Sequence, residues 1–154
     1  MPDYIIAASD KDYKTAAGLF KEYATAINID LQFQHFDEEL SELQEMYSFP
    51  EGGIILCRFE DEYIGCVAIR KIDAETGELK RMYVKPTHQN KSIGKALLQE
   101  AIELARKCRY SKLRLDTLNY MQPAIRLYKK YGFYEIPAYY FNPIPTAVFF
   151  EMIL

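Results

Sequence analysis

Cysteine is scarce in this chain, with only Cys57, Cys66 and Cys108 among 154 residues. An odd number lacking both a C-x-x-C pair and a metal-finger spacing excludes a disulfide framework and predicts reduced thiols with no metal site. Long apolar runs are missing as well. No stretch approaches the ~18 residues that a membrane-spanning helix requires, and the opening MPDYIIAASDKDY has no basic segment followed by an apolar one. A cytoplasmic protein with no membrane partner is the expectation. Neither sign of charge dominates: 22 acidic and 19 basic side chains are interspersed for a net charge of -3, which leaves no polybasic footprint for nucleic acid. Any anion site must be local. The two histidines, His35 and His88, are expected on the surface or in loops. Hydrophobic residues at 49% and charged residues at 27% match ordinary globular usage and exclude a fibre or a disordered chain. The length suits one compact domain over residues 1–154.

The short apolar run Tyr4-Ile5-Ile6-Ala7-Ala8 predicts a strand, which Ser9-Asp10 can stop while capping a helix. Over residues 13–29 the apolar side chains Ala16, Leu19, Phe20, Tyr23 and Ile27 recur at steps of three and four, the mark of a helix with one buried face. A second helix is expected over 37–46, opening on acidic residues that suit the positive end of its dipole and stopping before Pro50. Residues 54–59 and 63–69 are strand-like and predict an antiparallel hairpin. The next strand, 78–84, mixes polar and apolar side chains too evenly for burial on both faces. Period two places Glu78, Lys80, Met82 and Val84 on one face and Leu79, Arg81 and Tyr83 on the other. A helix over 93–108, a strand over 112–118, a short helix over 123–131 stopped by Gly132, and strands over 133–136 and 146–153 complete the chain. The last two strands are joined by a loop, 137–145, rich in tyrosine and proline. The order β-α-α-β-β-β-α-β-α-β-β predicts a mixed sheet with helices on its faces.

Chemistry is suggested first by Gln89-Asn90-Lys91-Ser92-Ile93-Gly94-Lys95, a polar segment between the end of a strand and the start of a helix. The first turn of a helix leaves about four N–H groups unpaired, and with the dipole these attract phosphate or pyrophosphate. Lys91 and Lys95 oppose the dipole where they stand, so an anionic ligand would relieve them. The segment is not a P-loop: Gly94-Lys95 lacks the earlier glycine and the following Ser or Thr. It is not a G-x-G-x-x-G fingerprint either.

These residues resemble the GNAT family of N-acetyltransferases, whose pyrophosphate loop has the form Q/R-x-x-G-x-G/A after a strand ending in an apolar-x-V-x-P pattern. Here Met82-Tyr83-Val84-Lys85-Pro86 is followed by Gln89 to Gly94. Downstream, Ala124-Ile125-Arg126-Leu127-Tyr128-Lys129-Lys130-Tyr131-Gly132-Phe133 is similar to the family's A-x-x-L-Y-x-x-x-G-F segment. The resemblance covers the chain well from about Ile54 onward. It implies a single acetyltransferase domain over 1–154, of α/β (α+β) type, with a mixed, mostly antiparallel central sheet and helices on both faces. It departs from the family's pattern twice: Ser92 replaces the first loop glycine, and Met121 stands where many members have asparagine. A serine there can cap the helix or touch phosphate, but a left-handed backbone at that position would strain it.

The resemblance further implies acetyl-CoA as co-substrate and direct attack of a primary amine on the thioester. Met82, Tyr83 and Val84 would pair with the pantetheine arm, the Met82 amide facing the carbonyl oxygen, and a local bulge, common in this strand of the family, would upset the period-two count of its faces. Gln89, Asn90, Lys91, Ser92, Ile93, Gly94 and Lys95 would hold the pyrophosphate. Tyr128 becomes the acid for the leaving thiolate and Glu78 the base. Tyr140 and Asn142, in the aromatic loop, are candidate acceptor contacts. A small-molecule amine is the expected acceptor, with a monomer or homodimer as the assembly. A protein acetyltransferase or a non-catalytic CoA-binding module are the alternatives. The acidic residues of 37–45 read either as an attraction for a cationic acceptor or as a solvated helix face.

Overall fold

The computed structural model describes residues 1–89 and 92–154. Alternation along β2 (Gly53–Phe59) shows why its sheet is covered twice. Ile55 and Cys57 enter one apolar cluster, while Ile54 and Leu56 enter another on the opposite face. Around β2 lie β1 (Asp3–Ile6), β3 (Glu62–Lys71), β4 (Thr76–Val84), β5 (Lys112–Leu118), β6 (Tyr134–Ile136) and β7 (Ala147–Ile153). Among the described residues they form one sheet in the order β1-β2-β3-β4-β5-β7-β6. Every pairing is antiparallel except β4 with β5. Helices α4 (Ile93–Lys107) and α5 (Gln122–Lys130) cover one face; α1 (Asp10–Ile27), α2 (Phe36–Ser41) and α3 (Leu43–Met46) cover the other. No described helix is long and apolar enough to cross a membrane.

Helix α1 starts where the sequence predicts. Ser9 Oγ accepts from the Asp12 amide at 3.1 Å, and the Asp12 carboxylate accepts from the Ser9 amide at 3.3 Å, a reciprocal capping box. Asn28 ends the helix in the left-handed region, at φ 54°. The single helix expected over 37–46 is instead two, broken at Glu42, whose backbone leaves the helical region at φ -127° and ψ 27°. The break lets Phe36, Glu39, Leu43 and Tyr47 all bury themselves over the sheet.

Strand β4 corrects two further expectations. It is buried continuously from Thr76 to Arg81 despite its charges, because those charges are paired. Its alternation also fails beyond Lys80. Tyr83 lies opposite Cys66 and Lys80 opposite Ala68, so three steps on β4 span two on β3. The extra residue is a bulge, with Arg81 at φ 60°. Lys80 and Tyr83 therefore lie with their partners Ala68 and Cys66 on the α1 side, while Leu79, Met82 and Val84 pack on the α4 side.

Candidate active site

Strands β4 and β5 pair only from Thr76–Lys112 to Glu78–Arg114. Past that point β4 bulges and the two strands part, opening a cleft of about 100 Å³ that is partly open to solvent. Its walls come from every layer: Tyr23 from α1, Lys80, Arg81 and Met82 from β4, Asp116 from β5, Tyr128 from α5, and Asn142 from the aromatic loop. The bulge leaves Arg81 and Met82 with no register partner on β3. An extended ligand arm inserted between the strands would meet the edge of β4 there.

Tyr128 sits on α5, a helix that starts on a proline in its first turn. Its ring packs edge-on against Phe133 at 5.6 Å, and only 5% of the residue is exposed. Burial, reinforced by Tyr23 and Asp116, pushes its phenol well above the usual range. The hydroxyl is thus a proton-bearing donor at any physiological pH. Met121 lines the same cleft, its sulfur 3.6 Å from Thr117 Oγ1. Asn119 is exposed and takes no part in the lining.

Glu78 is placed differently. It lines a neighbouring pocket with Arg70, Lys80, Tyr139 and Tyr140, and it is absent from the lining of the cleft that holds Tyr128. It is not solvated: the residue is 3% exposed. Its Oε1 lies 3.1 Å from Arg70 Nε and 3.8 Å from Lys80 Nζ, and its Oε2 accepts from the Tyr139 hydroxyl at 2.6 Å. The aromatic loop is pinned a second time at Asp116, whose Oδ2 accepts from Tyr140 at 2.5 Å and from Asn142 Nδ2 at 3.1 Å. Burial, followed by Asp116, pushes the Tyr140 phenol up; burial, followed by Glu78, does the same at Tyr139. Both hydroxyls therefore donate to carboxylates and stay protonated.

Two residues between the pockets escape the sequence reading. Asp116 was legible only as a polar position in an alternating strand, although a carboxylate in the central sheet is itself a signal. Gln34, in the 3-10 turn Leu31–Gln34, lines both pockets and bridges Lys80 to Tyr140. No motif marks it.

The anion site that the sequence predicts falls at the start of α4, whose residues do not line the cleft. Ser92 holds the N-cap at φ 60° and makes no side-chain cap hydrogen bond, so the capping role expected of its hydroxyl is not found and the expected strain is. A Cβ on Gly94 would meet nothing within 4 Å, and Lys95 is exposed beside it. Ile93 is buried and anchors the turn in the core. Gln89 is exposed, its Nε2 donating to the Val84 carbonyl at 3.0 Å, and Tyr83 donates to Glu22. Asn90 and Lys91 lie outside the described residues. Ser92→Gly is expected to stabilise the fold by roughly 1 kcal/mol, since a left-handed backbone costs an L-residue about 1–2 kcal/mol and glycine little. Urea unfolding of the two proteins measures the difference, and a less stable glycine variant would contradict it.

The comparison with known proteins decides what this arrangement belongs to. The profile of the Acetyltransferase (GNAT) family matches residues 19–133. The chain is a GNAT-family acetyltransferase. An uncharacterized N-acetyltransferase of Schizosaccharomyces pombe is 38% identical over 138 residues, covering 87% of this chain and 83% of its own. In fold, the acetyltransferase of Streptococcus agalactiae superposes with a TM-score of 0.80 at 17% identity, over 99% of this chain and 98% of that one. A GNAT family acetyltransferase of Elizabethkingia anophelis, solved with acetyl-CoA bound, gives 0.68 at 24% identity, over 99% and 98% of the two chains. This GNAT enzyme is therefore an acetyl-CoA-dependent acyltransferase, with the mixed, mostly antiparallel sheet of that fold.

Proposed function

We propose that this enzyme transfers the acetyl group of acetyl-CoA to the primary amine of a small molecule by direct attack within a ternary complex. The observation that carries this reading is the double clamp on the aromatic loop. Tyr139 on Glu78, and Tyr140 with Asn142 on Asp116, hold residues 139–142 across the acceptor side, which makes a walled cleft rather than an open groove for a polypeptide. Direct transfer is favoured because none of the described residues that line the cleft is a cysteine. Cys57 and Cys66 are buried elsewhere, and burial raises both thiols above their usual range.

In this reading the pantetheine arm lies along the edge of β4 and the pyrophosphate sits at the start of α4, around Ser92, Gly94 and Lys95. The amine nitrogen attacks the thioester carbon, forming the C–N bond as the C–S bond breaks. The Met82 amide donates to the carbonyl oxygen as negative charge builds there. Tyr128 donates to the departing sulfur, and Glu78 takes the amine proton through water from the adjoining pocket. One such domain, as a monomer or homodimer in the cytoplasm, suffices for this chemistry.

The cofactor is tested by calorimetric titration of acetyl-CoA against ATP and NAD controls, with saturable binding of acetyl-CoA alone expected. For the mechanism, initial rates measured while both acetyl-CoA and an accepted amine are varied should give intersecting reciprocal plots. Parallel lines, together with an acetylated enzyme by mass spectrometry, would refute direct attack.

A further inference from the structure

The charges around the two pockets do not cancel evenly. Arg81 is neutralised by Glu39 through two hydrogen bonds, at 3.0 and 2.8 Å, and Arg114 by Glu151 at 2.8 Å. Glu78 is shared by Arg70 and Lys80, so two cations face one carboxylate. A positive charge is left over at Lys80. Asp116 accepts only from the neutral donors Tyr140 and Asn142, both on Oδ2, which leaves a negative charge there and Oδ1 without a donor among the described residues. Among the described residues, one unmatched cation and one unmatched anion thus border the cleft.

What joins them is the side chain of Gln34. Lys80 Nζ donates to Gln34 Oε1 at 3.3 Å, and Gln34 Nε2 donates to the Tyr140 hydroxyl at 2.9 Å, which in turn donates to Asp116. The amide cannot be turned round, because an ammonium only donates and must face the oxygen. The carboxamide therefore presents an acceptor to the cation and a donor toward the anion. That is the polarity of an α-aminocarboxylate, written with a neutral group.

We propose that the acceptor of this acetyltransferase is an α-amino acid or a close analogue, its carboxylate seated on Lys80 and its amino group on Asp116 and Tyr140, in the place that the Gln34 carboxamide holds. The inference rests on the acetyl-transfer reading above and narrows its acceptor. The exchange is favourable because a neutral amide bridging two opposite charges is replaced by a ligand with a full charge at each end, and charge-assisted hydrogen bonds are the stronger kind. Burial lowers the ammonium of Lys80 while Glu78 raises it, so a bound carboxylate adds to the influence that keeps it charged. Gln34 is half-buried in a short turn at the boundary of the two pockets, a position from which its side chain can swing away. The amino group left on Asp116 lies in the same cleft as Tyr128 and the edge of β4, where the thioester would be.

The test uses matched probes: L-amino acids from glycine to tryptophan, each paired with the amine that lacks its carboxylate, such as tyrosine with tyramine and histidine with histamine. Thiol release from acetyl-CoA is followed for each. In the pairs that react, the amino acid should have kcat/KM about 10- to 100-fold above its amine, the scale of one charged hydrogen bond. Lys80→Met should erase that preference, bringing the amino acid and its amine to similar kcat/KM, and Asp116→Asn should weaken both members. Gln34→Ala, which removes only the occupant of the place, should lower KM for the amino acid. It serves as the decisive variant should either buried-charge variant fail to fold. Amines preferred over their amino acids, a preference that survives Lys80→Met, or a raised KM in Gln34→Ala would each overturn the proposal. So would an enzyme that binds acetyl-CoA yet acetylates no member of the panel. A protein that binds no acetyl-CoA would instead remove the acetyl-transfer reading itself, and the two failures are told apart by the titration alone.

Discussion

Tyr128→Phe is expected to lower kcat by about 10²- to 10³-fold, the usual worth of a positioned general acid, with little change in the affinity for acetyl-CoA. The ring stays, so its edge contact with Phe133 and its place in the core are kept. Only the hydroxyl is lost from the cleft. A structural role for the tyrosine would show as a lower melting temperature with kcat intact; an acid role shows as the reverse. The pH dependence sharpens the distinction. Burial raises the phenol above its usual range, so Tyr128 stays protonated through pH 10 and contributes no alkaline limb below it. The sign for stability is the same: the folded state favours the neutral phenol, so its contribution is intact below the unfolded pKa and fades as pH rises toward the folded value. Steady-state kinetics with a verified amine and calorimetry with acetyl-CoA together measure the split. Turnover equal to that of the parent enzyme would eliminate Tyr128 as the acid.

Much of this fold can be read from the chain wherever local pattern and tertiary role agree. Residues 112–116 alternate polar and apolar before Thr117 breaks the period, and β5 spans Lys112–Leu118 as expected. The helical steps from Ile93 define α4 to within one residue. Reading fails where backbone geometry departs from its period. The bulge at Arg81 moves Met82 and Val84 to the other face from Lys80, and no residue type announces it, because arginine at positive φ is held there by its partners rather than by preference. Glu39 fails for a related reason: within an acidic run it looks solvated, yet it is 1% exposed against Arg81. Motif residues carry the family resemblance, and with it the proposed coenzyme end, whereas Gln34, Lys80 and Asp116 meet only through the folding of three separate segments. The cluster on which the acceptor proposal rests is visible in the structure alone.

The Glu39–Arg81 pair has the largest expected effect on stability. Two hydrogen bonds join the side chains, and the guanidinium also lies over the rings of Phe36 at 5.2 Å and Tyr23 at 5.8 Å. Neither charge has water to fall back on. Removing one partner strands the other, which typically costs about 3–5 kcal/mol, so Arg81→Ala should lower the melting temperature by roughly 6–20 °C. Arg81→Gly should be milder by about 1 kcal/mol, because it relieves the left-handed backbone while orphaning the same carboxylate. Replacing both, Glu39→Leu with Arg81→Met, should recover much of the loss, since two apolar side chains leave nothing unpaired. Urea denaturation of these three variants beside the parent protein measures each loss. A loss below about 1 kcal/mol in Arg81→Ala would mean that the pair is solvated and that α2 is held over the sheet by its apolar residues alone. The functional consequence follows from position: α2 begins two residues after Gln34, so a variant that frees Glu39 should also loosen the turn that separates the two pockets and shift KM for the acceptor more than KM for acetyl-CoA.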